Sequence, residues 1–256
     1  MKEKDCLEHN LSVPVKFIFF SALLCISFVT KAQFNDSINY YVYYGSSGSF
    51  NKTNDGNSFI LNNIGKFTID KRKVTLHTIN TWIYGEQSGV KINNDFSSVI
   101  DLDYLKKQQR FYYWGIATFD KSFSLKINHR FQVGAGLGYN LVKLDNASIV
   151  LSDGLIFEQA DLTDKELGQL KYDVWRNSFR IKYHWTLHSI LFLDGSAFVQ
   201  PSLASSDDNV IKSSTTLSIK LKKWLSLSSS LVYNKITLTQ RENLSITYGL
   251  VVEKFF

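Results

Sequence analysis

Leu244-Ser245-Ile246-Thr247-Tyr248-Gly249-Leu250-Val251-Val252-Glu253-Lys254-Phe255-Phe256 closes the chain and decides its fold class. In an extended segment successive side chains point to opposite faces. Leu244, Ile246, Tyr248, Leu250, Val252 and Phe256 therefore share one apolar face, while Ser245, Thr247, Gly249 and Glu253 share the other. No later segment covers that apolar stripe. Hydrocarbon is the expected cover, so the stretch reads as the last strand of a β-barrel in a bacterial outer membrane, and Tyr248, Gly249, Leu250, Val252 and Phe256 as its membrane-insertion element.

The same period of two recurs along the chain. Over 174–185, Trp175, Phe179, Ile181, Tyr183 and Trp185 alternate with Arg176, Ser178, Arg180, Lys182 and His184. Over 131–141, Phe131, Val133, Ala135, Leu137, Tyr139 and Leu141 alternate with Gln132, Gly134, Gly136, Gly138 and Asn140. Over 211–221, Ile211, Leu217, Ile219 and Leu221 oppose Lys212, Ser214, Thr216, Ser218 and Lys220. Counting such segments predicts an all-β, antiparallel, transmembrane up-and-down barrel of about twelve strands. Proline is nearly absent after residue 32, where only Pro201 remains, in a predicted loop. That scarcity follows if almost every backbone N–H must join a ladder, because an unpaired one in lipid costs several kcal/mol.

The beginning of the chain fits export. Lys16 precedes an apolar run over 17–29, and Thr30-Lys31-Ala32-Gln33 follows with Ala32 as the cleavage position. The run is too short to span a bilayer and has the layout of a secretory signal peptide. Two segments are expected: a cleaved signal peptide over 1–32 and the barrel over 33–256. Leu24 before Cys25 argues against lipid attachment, which needs a small residue there. Both cysteines, Cys6 and Cys25, fall in the export segment, so the mature chain has no disulfide framework and no thiolate metal site. Removing residues 1–32 takes away four Lys/Arg and three Asp/Glu and leaves a net charge of +5. No basic stripe of the kind nucleic-acid binding needs accompanies it.

The connections segregate. Asp70-Lys71-Arg72-Lys73, Lys106-Lys107-Gln108-Gln109, Leu144-Asp145-Asn146, Thr186-Leu187-His188 and Lys222-Lys223 are short and mostly basic. The alternate ones read longer and more acidic, above all Gln159 to Tyr172 and Ser202 to Asn209. Short periplasmic turns and long outer loops are the layout of an outer-membrane barrel. Tyr104, Phe111, Tyr112, Tyr113, Trp114, Trp185, Trp224 and Phe256 are expected at the inner rim, and Trp82, Tyr84, Trp175 and Tyr233 at the outer one.

Phe111-Tyr112-Tyr113-Trp114-Gly115, Arg130 to Tyr139, Asn177-Ser178-Phe179-Arg180, Lys222-Lys223-Trp224-Leu225 and Thr247-Tyr248-Gly249-Leu250 resemble domain-of-unknown-function family 481, the salt-induced outer-membrane proteins. The resemblance covers most of the mature chain. It implies a barrel in the outer membrane of a Gram-negative bacterium and carries no substrate, reaction or functional residue. The export segment and its Lys-Ala-Gln cleavage region resemble those of Bacteroidetes.

Chemistry-bearing constellations are sparse. A barrel phospholipase needs a His and a Ser on neighbouring strands with a third group orienting the His. His188-Ser189 sits instead in a predicted inner turn. Asp207-Asp208 is the one carboxylate pair at the outer rim, and a solvated charge pair is its commoner meaning. No spacing predicts a metal site and no cofactor is expected. The lumen carries more information. Arg176, Arg180, Lys182, Lys212 and Lys220 face it, with Asp101, Asp103 and Glu253 as partners from other strands. These side chains either fill a closed barrel with ion pairs or bias a narrow passage toward anions. An outer-membrane lipid hydrolase and a soluble ligand-binding barrel are the alternatives of other classes. Expected partners are outer-membrane lipid, the barrel-assembly machinery during biogenesis and small solutes, with no nucleic acid.

Overall fold

The computed structural model describes residues 39–54, 56–104, 109–164 and 168–255. The expected export segment, the Lys106-Lys107-Gln108 stretch, Glu166 and Phe256 lie outside the described residues. The strands are β1 (Tyr40–Thr53), β2 (Gly56–Lys71), β3 (Val74–Gln87), β4 (Val90–Tyr104), β5 (Phe111–Ser122), β6 (Ile127–Lys143), β7 (Ala147–Asp164), β8 (Gly168–Asn177), β9 (Phe179–Leu187), β10 (Leu191–Pro201), β11 (Asn209–Lys222), β12 (Leu225–Ile236) and β13 (Arg241–Phe255).

Apart from β8 and β9, each strand pairs antiparallel with its sequence neighbour, and β13 returns to β1 with Tyr41 opposite Phe255 and Gly48 opposite Tyr248. β8 and β9 are two halves of one stave. Both lie on β7 in a single register, Leu155 opposite Asn177 and Ser152 opposite Arg180. Only Ser178 leaves the ladder, and its N–H still donates to the Gly154 carbonyl at 2.8 Å. Among the described residues the ring therefore closes with twelve staves. Closure satisfies the backbone without water, the condition for crossing lipid with strands.

The outer surface follows from the alternation. Leu244, Ile246, Tyr248, Leu250 and Val252 are all exposed, as are Phe131, Val133 and Leu137 on β6. Exposed aromatic and apolar side chains on staves whose opposite face holds buried Arg, Asp and Glu invert a water-soluble protein. This is an outer-membrane barrel of a Gram-negative envelope. β1 begins and β13 ends at one rim, which is the periplasmic one for a bacterial barrel of even strand number. Tyr104, Phe111, Tyr113, Trp185 and Trp224 face outward near that rim. Trp82 and Trp175 face outward near the other.

Three expectations need correction. Gln159 to Tyr172 is not a long loop: β7 and β8 stay paired through it, from Gln159 opposite Asp173 to Asp164 opposite Gly168. The outer side is thus distinguished by strand extension, because polar side chains alternate as well in a ladder as in a loop. Pro201 ends β10 opposite Asn209, at a strand end where a missing N–H is tolerated. Tyr112 and Trp114 are not belt residues. They point inward and are buried, since the belt takes only the odd-numbered side of β5.

Trp114, together with the β7 backbone, explains Gly136 of β6. Its indole N–H donates to the carbonyls of Leu137 (3.2 Å) and Asp153 (3.3 Å), so the ring lies flat across β6 and β7. A Cβ on Gly136 would stand 2.2 Å from the Asp153 carbonyl oxygen and 2.7 Å from the Trp114 ring. Gly136 thus makes room for an indole, not for solute. Gly136→Ala is expected to destabilise the barrel by about 1–3 kcal/mol through overpacking. Gly65→Ala, where nothing lies within 4 Å of the added carbon, is the matched control. Equal denaturation midpoints for the two variants would refute the role given to Trp114.

Candidate functional site in the barrel lumen

Closure brings the inward side chains of β4 to β10 into one packed mass. Its centre is Arg176 on β8, fully buried, whose guanidinium holds Glu158 on β7 and Asp208 from the β10–β11 loop at 2.9 Å each. The guanidinium also donates to the carbonyls of Asp208 (3.2 Å) and Gln200 (3.4 Å). Glu158 accepts further bonds from the Tyr172 hydroxyl (2.8 Å) and the Gln132 amide (2.5 Å). Asp208 is therefore an internal ligand of Arg176 and not half of a solvated pair. An ion pair so far from water costs desolvation, and only this density of hydrogen bonds offsets it.

Two further clusters reach across the lumen. Asp120 on β5 takes Arg130 on β6 at 2.8 Å, Lys212 on β11 at 2.9 Å and the Ser97 hydroxyl at 2.7 Å. Asp101 on β4 takes Arg180 on β9 at 3.0 Å and also Lys182. Arg180 is held from its other side by Ser152 at 2.9 Å and lies over the Trp114 ring. Asp103, opposite Trp114 in the register, is fully buried. Lys220 pairs with Glu253 at 3.0 Å near the periplasmic rim.

Of the residues expected in the lumen, Arg176, Arg180, Asp101 and Asp103 are buried and Lys182, Lys212 and Lys220 half-buried, and each basic one has an acid at ion-pair distance. Arg180 and Lys182 share Asp101, and Lys220 takes Glu253. Lys212 goes to Asp120 and Arg176 to Glu158, neither of them in the sequence reading, and Arg176 also to Asp208, half of the pair expected to be solvated. Those missed residues are Glu158 and Asp120, together with Arg130 and Gln132. A signal existed: Asp120 has the same parity as Thr118 and Ser122. It was hidden because Tyr112, Trp114 and Ile116 occupy that parity too and look like a lipid face. The basic excess read from β8, β9 and β11 is accordingly neutralised. His188 and Ser189 are consecutive turn residues with positive φ (51° and 58°) at the periplasmic rim.

The Lys212–Asp120 and Lys182–Asp101 pairs form chords. On their far side, β11 to β13 carry mostly short polar side chains inward, while β1 and β2 add Tyr41, Tyr43, Asn62, Ile64 and Lys66. β12 presents Ser226, Ser228 and Ser230, too short to leave the wall. Thr216 bonds Ser230 at 2.8 Å and Ser47 bonds Thr247 at 2.9 Å. Ser214, Thr216, Ser218, Ile64 and Lys66 are partly exposed although they face the interior. The lumen is thus divided into a packed half and a hydroxyl-lined crescent in which Ser214, Thr216 and Ser218 of β11 stay partly accessible while the inward β12 hydroxyls are buried. Lys66 stands over the Tyr43 ring at 4.6 Å, with no carboxylate at ion-pair distance among the described residues.

A family model described as a protein of unknown function, DUF481, matches residues 51–252. The translocator domain of the autotransporter NalP from Neisseria meningitidis is similar over 86% of this chain and 90% of its own, at 12% identity and a TM-score of 0.49. An outer membrane channel from Pseudomonas putida F1 is similar over 88% and 100%, at 10% identity and 0.48. The NanC porin is similar over 84% and 99%, at 8% identity and 0.48. No curated protein sequence matches the chain.

Proposed function

The chain belongs to the DUF481 family, and from that premise we propose that its barrel is a narrow passive channel for small hydrophilic solutes. The passage is the hydroxyl-lined crescent, not the charged half. The observation that carries this reading is the contrast in burial within one lumen: Arg176 and Glu158 are 0% exposed, whereas Lys66 and the inward Ser and Thr side chains of β11 remain accessible. Hydroxyls exchange hydrogen bonds with a passing solute without holding it, which suits low-affinity permeation. The charged residues Arg176, Arg180, Lys182, Lys212, Lys220, Asp101 and Asp103 then act as the fixed wall that sets the bore.

The reading is non-enzymatic. It includes removal of residues 1–32 on export, and recognition of the Tyr248, Gly249, Leu250, Val252 and Phe256 strand by the assembly machinery as the barrel enters lipid.

Planar-bilayer recording of refolded protein is the test. Small stepwise openings are expected, and Thr216→Trp should reduce the step at least about twofold by filling the crescent. A silent bilayer would remove the channel. It would favour a closed, envelope-structural barrel, a second reading that has its own support near the outer mouth. There Ile236 packs with Leu125 and Leu162, and Asn243 reaches Ser124 at 3.0 Å across the lumen.

A further inference from the structure

We infer that Lys91 and Lys126, over the Phe123 ring at the outer rim, form with the outward Lys121 a docking patch for the phosphates of an anionic glycolipid in the outer leaflet. The turn 123–126 joins β5 to β6 at the rim opposite the chain ends. The ammonium of Lys91 stands 4.6 Å from the centroid of the Phe123 ring and that of Lys126 stands 4.1 Å from the same centroid. Two like charges on one exposed ring repel each other, and the ring's quadrupole offsets that only weakly in water. An anion bridging them turns the repulsion into attraction. Lys121 adds a third cation on the outward face, directly opposite Phe96 in the register.

The turn is built rather than loose. Lys126 holds a positive φ of 55°, a conformation that lysine rarely adopts. Asp95 braces the segment from inside: its carboxylate accepts the Ser122 hydroxyl (2.7 Å), the Ser124 hydroxyl (2.7 Å) and the Ser124 N–H (3.0 Å). Asn93 donates to the same carboxylate at 2.9 Å, so Asp95 is spent on the turn. Glu86 lies opposite Lys91 but is taken by the Tyr84 hydroxyl. None of the three lysines has a carboxylate at ion-pair distance among the described residues.

Position selects the ligand. Phe96 and Phe119 sit immediately below, exposed on the lipid face with ring centroids 6.4 Å apart. A molecule that presents acyl chains to those rings and phosphates to the lysines is a membrane phosphoglycolipid. Cations near an anionic membrane surface each add a comparable increment of affinity.

Native mass spectrometry of the full-length chain, refolded and titrated with bisphosphorylated lipid A, reads this out. The wild type is expected to retain lipid A, and the K91Q/K121Q/K126Q variant to bind it on the order of 100-fold more weakly. K91R/K121R/K126R should keep binding. Should the triple variant fail to fold, Lys121→Gln alone, at an exposed outward position, is expected to weaken binding about fivefold. Undiminished binding by the glutamine variants, or equal binding of dephosphorylated lipid A by the wild type, overturns the proposal. Complete displacement by millimolar inorganic phosphate assigns the patch to free phosphate and overturns the lipid. None of these outcomes depends on whether the lumen conducts.

Discussion

Arg176→Ala is expected to destabilise the folded barrel by about 3–5 kcal/mol, the range for removing one partner of a buried ion pair. The reason lies in what is left behind. Glu158 and Asp208 both point at the vacated guanidinium in a region that water does not reach, each having held it at 2.9 Å. Two carboxylates then face each other without the cation that bridged them, the nearby Arg130 being held by Asp120. The loss is a penalty of uncompensated charge more than the forfeited worth of the pair, and that distinction is measurable. Adding Glu158→Gln to Arg176→Ala removes one of the two stranded charges and should recover part of the stability. Urea unfolding of barrel refolded into lipid vesicles, followed by the fluorescence of its five tryptophans, provides the readout. A double variant no more stable than Arg176→Ala would mean that packing volume, not charge, dominates at this position.

Ile181→Arg is expected to cost about 2–4 kcal/mol, provided the position lies at the bilayer midplane. Ile181 sits on β9 between the outer-belt Trp175 and the inner-belt Trp185, facing outward opposite Ala197 and Leu151. An arginine there meets hydrocarbon with no partner. The same residue introduced at Ser218, inward on β11 and partly exposed to the crescent, meets water and should be tolerated. The same unfolding assay separates them. A Ser218→Arg cost exceeding that of Ile181→Arg would show that the faces are reversed, and equal tolerance of both would refute the assignment of lipid outside and polar network within.

The parity of nearly every stave was readable from the residues. Ile181, Tyr183 and Trp185 against Arg180, Lys182 and His184 admit one orientation, because a one-residue slip would put two charges and an imidazole into lipid. β5 resisted for the opposite reason. Phe111, Tyr112, Tyr113 and Trp114 are aromatic on both parities, so alternation alone does not say that Tyr112 and Trp114 turn inward. The extent of β7 and β8 was hidden likewise, since Asp161, Thr163 and Gln169 suit a loop and an extra-membrane strand equally.

The sequence by itself determined the strand count, the orientation of most faces and the closure of the sheet. Alternation is a local property, carried by each residue and its second neighbours. Which acid meets which base was decided only by the tertiary structure. Lys212 and Asp120 are 92 positions apart, and Arg180 and Asp101 are 79. Their meeting depends on the stagger at which twelve staves close, and on Trp114 lying flat over Gly136 to let the walls approach. No period along the chain encodes a chord across its lumen. The division into a packed half and an accessible crescent belongs to the closed ring alone.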